Sequence, residues 1–161
     1  MNLNEIIRTR RNIKSFREDQ IGQEKLLEWL ETASYAPNHH RTEPWEILFV
    51  GADTRAKLNH KTNFFNAPTV LAFLSVAGKT PLERDENMIA VSCMMQNFAL
   101  LAHNDGAGTR WASFGSSATA REILGVPEGY EVVSMLAVGY PSEDPETKSR
   151  TNITEKIKVL A

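Results

Sequence analysis

The stretch PTVLAFLSVA, beginning at Pro68, most limits what this chain can fold into, because polar residues hardly interrupt it. A strand with one wet face alternates apolar and polar side chains, so a continuous apolar run belongs to a strand covered on both faces. The chain must therefore place apolar helices above and below one sheet. With its flanks, APTVLAFLSVAG is still well short of the ~20 residues that a membrane-spanning helix needs, which leaves a core strand.

The sequence supplies the covering helices. A short one runs from Leu3 to about Arg10 and gives way to an extended passage, NIKSFREDQI. GQEKLLEWLETASYAP reads as an amphipathic helix with Leu26, Leu30 and Ala33 on one stripe, Leu27 and Trp29 widening it and Pro37 ending it. ADTRAKLNH forms a short helix capped by Asp53. From about Glu83 to Asn104 the residues Met88, Val91, Met95, Phe98 and Ala102 recur at intervals of three and four, which marks the longest helix. It ends at NDGAGT, whose two glycines supply left-handed backbone. SSATAREILGVP is a capped helix closed by Gly125 and stopped by Pro127.

WEILFVG, TRWAS and YEVVSMLAVGYP read as further strands, so four strands with intervening helices give an α+β or α/β sandwich around one sheet. At 161 residues the chain reads as one domain, residues 1–161, with a polar tail from Ser142 that cannot build its own core and lies across another surface.

Charge and cysteine content exclude several functions. A net charge of -2 lacks the surplus of Lys and Arg that a general grip on nucleic-acid phosphates requires. The lone cysteine, Cys93, sits inside the long helical pattern, so no internal disulfide forms; the thiol reads as buried and inert, and the reducing cytoplasm is the expected setting. MNLNEIIRTRRN has no apolar segment of the kind a signal peptide carries. No metal site is expected, since His39 and His40 are neighbours and His60 and His103 have no carboxylate or thiol at metal-binding spacing. The nucleotide motifs GxxxxGK[ST] and GxGxxG and the GxSxG elbow of hydrolases are missing as well.

Two segments concentrate polar chemistry. RTRRNIKSFR places Arg8, Arg10, Arg11, Lys14 and Arg17 within ten positions of a slightly acidic chain. Guanidinium forks match phosphate oxygens two at a time, so the cluster suits a local anion; a solvated helix end, favoured by the macrodipole, would leave the same pattern. APNHHRTEPWEILFV, from Ala36 to Val50, sets histidines, prolines and a tryptophan at the mouth of a strand.

Taken in order, the RRNIKSF passage after the first helix, APNH before EPW and a strand, NAPTVLAFLSV, MIAVSCMMQNFALLAHNDGAGTRWAS, and AVGYP before a charged tail containing Arg150 resemble the nitroreductase family of flavin mononucleotide enzymes. The resemblance covers nearly the whole chain and is closest to small members. It implies an α+β fold with a central, mainly antiparallel sheet, in which two subunits interlock and FMN lies in clefts at their interface.

Carried onto this sequence, the resemblance places Arg10 and Asn12 at the phosphate and ribityl chain, with Arg11 in the same segment, and Lys14 near the pyrimidine end of the flavin. Pro37, Asn38 and His39 match a loop that reaches the cofactor from the other subunit. Trp111, Ala112 and Ser113 match a segment against the dimethylbenzene or phosphate side, and Arg150 matches a late phosphate ligand. His39 as a plain loop histidine stays open, and His40 receives no role. Asn12 stands where serine is commoner in the family, and the passage between Val50 and Ala67 has room for one short helix where many relatives carry longer roofing insertions, which implies an open pocket.

The implied activity takes hydride from NADH or NADPH to FMN and passes it to a nitroaromatic, quinone or activated alkene in a ping-pong cycle. Lys14 would stabilise negative charge at the flavin's pyrimidine edge; at ~4 Å and an effective dielectric of ~20 the attraction is on the order of 4 kcal/mol before desolvation. No protein acid or base stands out. A flavin-sequestering protein without turnover is the alternative from another class, and dehalogenase or flavin-fragmenting chemistry usually requires lid residues that this chain lacks. The apolar end of ITEKIKVLA, with Ile153, Ile157 and Val159, is expected to pack on the other subunit.

Overall fold

A computed structural model describes residues 1–160. The elements in chain order are α1 (Leu3–Thr9), α2 (Gln23–Ala33), β1 (Trp45–Phe49), α3 (Ala52–Leu58), α4 (Lys61–Phe65), β2 (Thr69–Val76), α5 (Pro81–Asn104), β3 (Gly108–Ala112), α6 (Ala118–Leu124) and β4 (Tyr130–Gly139). Short 3-10 turns lie at His39–Arg41, Ser113–Ser116 and Ile153–Lys156. The sheet is four-stranded in the order β1-β2-β4-β3, and every pairing is antiparallel. This is the α+β alternative of the sequence reading.

The apolar run occupies β2, an inner strand, and its two faces feed different cores. Leu71 and Phe73 pack with Leu26, Trp29 and Leu30 of α2 and with Val91, Met95 and Phe98 of α5. Val70 and Ala72 point the other way, into a second cluster with Leu58, Phe64, Ala120 and Met135. Each fully buried side chain of this size contributes ~1.5–3 kcal/mol relative to an exposed one, so β2 alone ties both layers together. Trp29 meets Phe98 edge-on at 5.8 Å, and its indole N–H donates to Asp105 at 2.9 Å, which fixes α2 against the end of α5.

Several local expectations change. Leu27 lies outside the buried stripe of α2 and is exposed, because the helix contacts its neighbours along one narrow face, Leu26, Trp29, Leu30 and Ala33. α3 is capped by Gly51 rather than Asp53, which instead sits in the first turn where its charge suits the helix dipole. Of the two glycines after α5, only Gly106 adopts left-handed backbone, at φ 80°; Gly108 already belongs to β3. Cys93 is half-buried against the first core rather than enclosed.

The passage between Val50 and Ala67 holds a second element beyond the one short helix expected. α4 is a single turn with positive φ at Thr62, Asn63 and Phe64, a conformation that costs roughly 1–2 kcal/mol per residue for side chains with a Cβ. Arg55 holds it in place. Its buried guanidinium donates to the Ala67 carbonyl at 2.6 Å, the Asn63 carbonyl at 3.2 Å and Asn63 Oδ1 at 3.1 Å. Replacing Arg55 by methionine keeps the bulk and orphans these acceptors, so the unfolding free energy should fall by about 1–3 kcal/mol in urea titrations. An unchanged midpoint would show that the turn stands without Arg55.

Candidate functional site

The basic segment is positioned by the edge of the sheet. β3 leaves one side unpaired, and the chain after α1 runs along it: Asn12 bridges Thr109 in parallel, the Ile13 amide donates to the Thr109 carbonyl at 3.1 Å, and Phe16 bridges Pro141 beyond β4. Gly108 makes this approach feasible, since a Cβ there would collide with Ile13 Cγ1. Ile13 and Phe16 are buried, whereas Asn12 before them and Lys14 and Ser15 between them are exposed. The segment is thus anchored by two apolar residues, with a bend at Lys14 between them, and leaves its polar residues on the outside.

The tail after β4 returns to the same place. Ser142 hydrogen-bonds Ser15 through both its amide, at 3.1 Å, and its hydroxyl, at 2.6 Å. The Glu143 carboxylate accepts from the Lys14 amide, and Arg11 donates to the Thr147 hydroxyl. Arg150 comes close enough to oppose the charge on Arg10. The structure therefore gathers Arg10, Arg11, Asn12, Lys14 and Arg150 around the start of β3, with Trp111, Ala112 and Ser113 at its far end.

Although Glu143 reaches the Lys14 amide, these cations make no ion pairs among the described residues: none involves Arg10, Arg11, Lys14, Arg110 or Arg150. Arg10 donates to the Arg11 carbonyl at 3.2 Å, and Arg11 donates to the carbonyls of Arg8 at 2.7 Å and Arg10 at 3.0 Å, so their main partners are neutral. Burial, followed by the charges of Arg11 and Arg150, pushes the Arg10 guanidinium below its ordinary range. Two buried polar atoms of this paired segment have no hydrogen-bond partner, Arg11 Nε and Thr109 Oγ1. Unmatched donors beside crowded positive charge form a cradle for an anion with several oxygens.

Pro37, Asn38 and His39 are not brought to this cradle within one chain. Their loop closes on itself: Asn38 accepts from the Glu43 amide at 2.9 Å and donates to the Ala36 carbonyl at 3.1 Å, while Thr42 donates to the His39 carbonyl. The His39 and His40 rings meet at 4.0 Å, both exposed.

Sequence reasoning missed Arg110 and two histidines. Arg110 extends from β3 over the Phe65 ring at 4.0 Å. His60 stacks on Phe114 at 4.7 Å, next to Ser113, and burial, then Lys61 and Arg110, favour its neutral form. His103, on the last turn of α5, meets the Thr9 hydroxyl at 2.8 Å. A polar residue amid a short strand was the only available sign for Arg110. Among the described residues no three His, Cys, Asp or Glu side chains are grouped to hold a metal, and no helix is long and apolar enough to cross a membrane.

Comparison with known proteins gives a consistent result. A family model described as the Nitroreductase family matches residues 7–63 and 52–140. The Bacillus subtilis (strain 168) protein YfhC, which bears the name of an NAD(P)H nitroreductase, is 31% identical over 179 aligned positions spanning 96% of this chain and 92% of that one. Among solved structures, a nitroreductase-like family protein from Bacillus cereus superposes with a TM-score of 0.90 at 28% identity, covering 99% of this chain and 96% of its own. The NADPH:FMN oxidoreductase from Vibrio harveyi, solved in complex with NAD+, shares the fold with a TM-score of 0.90 at 21% identity, covering 98% of this chain and 76% of its own.

Proposed function

The chain belongs to the nitroreductase family, and on that premise we propose that it is an FMN-dependent oxidoreductase of paired subunits. It takes hydride from NADH or NADPH and reduces small electron-poor acceptors such as nitroaromatics, quinones or activated alkenes. The observation that carries this reading is the group of cations without ion pairs, Arg10, Arg11 and Arg150, with the unpartnered Arg11 Nε and Thr109 Oγ1 in the same segment. A phosphate near neutral pH bears a charge of about -1.5 to -2 and three acceptor oxygens, which fits that group in charge and in hydrogen-bonding capacity.

When bound, FMN supplies the redox chemistry, and the protein supplies position and field. Arg10, Arg11 and Arg150 hold the phosphate. Asn12, turned outward between Ile13 and Arg11, offers amide contacts to the ribityl hydroxyls. Trp111, Ala112 and Ser113 form a floor, because Ala112 is buried while Trp111 and Ser113 stay accessible at the end of β3. Pro37, Asn38 and His39 act across the dimer on the partner's cofactor, consistent with a loop that touches nothing in its own cradle.

Lys14 sets the field at the pyrimidine end. Its side chain is exposed and has no ion pair among the described residues, so its charge is free to act on a ligand. Lys14→Met should leave FMN bound and lower the flavin midpoint potential by tens of millivolts, on the order expected for removing one partly screened charge. A potential equal to that of the parent protein would remove this role from Lys14.

Anaerobic stopped-flow mixing of the FMN-loaded protein with NADH or NADPH tests the activity. Bleaching of the flavin colour on a catalytic timescale, followed by its return on adding a quinone, is the expected result. A flavin that stays yellow in excess donor would support sequestration without turnover.

A further inference from the structure

Thr9 and His103 join the end of α1 to the end of α5 immediately before the cationic cradle begins. The Thr9 hydroxyl has one hydrogen, and its 2.6 Å contact with the Glu5 carbonyl uses it. The hydroxyl must then accept from His103, which makes Nε2 the protonated nitrogen in the 2.8 Å contact and leaves Nδ1 to take up a second proton. That geometry is compatible with both the neutral and the charged ring. The choice between them falls to the surroundings.

The surroundings are one-sided. Burial, then the charges of Arg10 and Arg11, hold the His103 imidazole below its ordinary range. The nearest acidic group on its own helix, Asp105, is engaged by the Trp29 indole at 2.9 Å and by Lys25 at 3.5 Å, and on α1 the Glu5 carboxylate, one turn before Thr9, accepts from the Asn2 amide at 3.0 Å. Thr9 is the only hydrogen-bond partner of the His103 ring among the described residues. An anion arriving at Arg10 and Arg11 would offset their repulsion of the charged ring, leaving burial as the main influence that still favours the neutral form.

We propose that His103 is a proton-coupled member of the anion site, becoming imidazolium as the phosphate of FMN settles on Arg10, Arg11 and Arg150. The inference rests on the flavin reading and adds a charge that the cradle acquires only when filled. The proton comes from solvent and resides on Nδ1, while Nε2 keeps its bond to Thr9. Because the group's proton affinity rises on binding, protons are taken up, and FMN affinity strengthens as pH falls through the range in which the filled site titrates. The second ionisation of the phosphate, near pH ~6, works in the opposite direction, since the cations select the dianion and release its proton.

Titration calorimetry of the apo protein with FMN, at about pH 6.5 in two buffers of different ionisation heat, counts the protons exchanged. His103→Gln retains an N–H donor for Thr9 and cannot titrate. The parent protein should take up about half a proton more than His103→Gln, equivalent to about threefold in relative affinity per pH unit. Riboflavin, which lacks the phosphate, should give no difference between the two proteins. NMR titration of the His103 ring should show its pKa rising on FMN binding.

Equal proton counts in two proteins that both bind FMN, or a His103 titration that FMN does not move, would overturn the coupling alone. A parent protein that gives neither heat nor colour with FMN would overturn the flavin reading and the coupling with it.

Discussion

Replacing Arg150 by glutamine is expected to weaken FMN binding by about 10- to 100-fold, the range for losing one charge-assisted hydrogen bond worth roughly 1.5–3 kcal/mol. Riboflavin affinity should change little, because the phosphate is the proposed partner of the lost charge. The apo protein should melt no lower than the parent. Arg150 has no ion pair among the described residues and its charge opposes that of Arg10, so its removal is expected to relieve the empty cradle while impairing the filled one. Fluorescence titrations with FMN and riboflavin, beside thermal melts of the two apo proteins, separate these effects. Equal weakening for both flavins would mean that Arg150 shapes the fold and does not grip phosphate.

Truncation after Arg150 is expected to break the proposed dimer. Described residues 151–160 are all exposed, with Ile153, Ile157, Val159 and Leu160 at 69%, 60%, 92% and 91% of full exposure. Matching apolar residues stand open elsewhere, Leu3 and Ile7 on α1 and Leu82 and Ile89 on α5. α5 is therefore apolar on the face that meets the sheet and partly apolar on the face turned away, the pattern of a helix that expects cover on both sides.

Burying side chains of this kind contributes ~1.5–3 kcal/mol each, so losing the tail should raise the dimer dissociation constant by at least about 100-fold. Sedimentation at low protein concentration should show monomers for the truncated chain and dimers for the whole one. Since Pro37, Asn38 and His39 are proposed to act on the partner's cofactor, FMN affinity should fall as the dimer is lost. Truncated chains that sediment as the parent does would place the interface elsewhere.

What could be read from the sequence follows the range of the interactions involved. β2 was legible because its two-sided burial is written into each residue, and the stripe of α5 because its period is local. The arginine cluster was legible as charge density. Its meeting with β3 was not, because the Asn12 to Thr109 bridge joins residues far apart in the chain and depends on Gly108 admitting Ile13. Arg55 reads as a surface cation on a short helix; only the folded loop shows that its fork ends on main-chain carbonyls. Asp53 and Gly51 both permit a helix start, and backbone geometry selected the glycine. His103 gave no local sign, since its meaning comes from α1 ending beside it. Ala161, the last residue of the expected tail, lies outside the described residues.

The most direct test of the flavin cradle is the visible spectrum of the purified protein after incubation with FMN and removal of the free cofactor. A yellow protein retaining close to one FMN per chain, and losing that colour under NADH or NADPH without oxygen, is the result expected if Arg10, Arg11 and Arg150 hold its phosphate. A colourless protein that sheds all the FMN would contradict it.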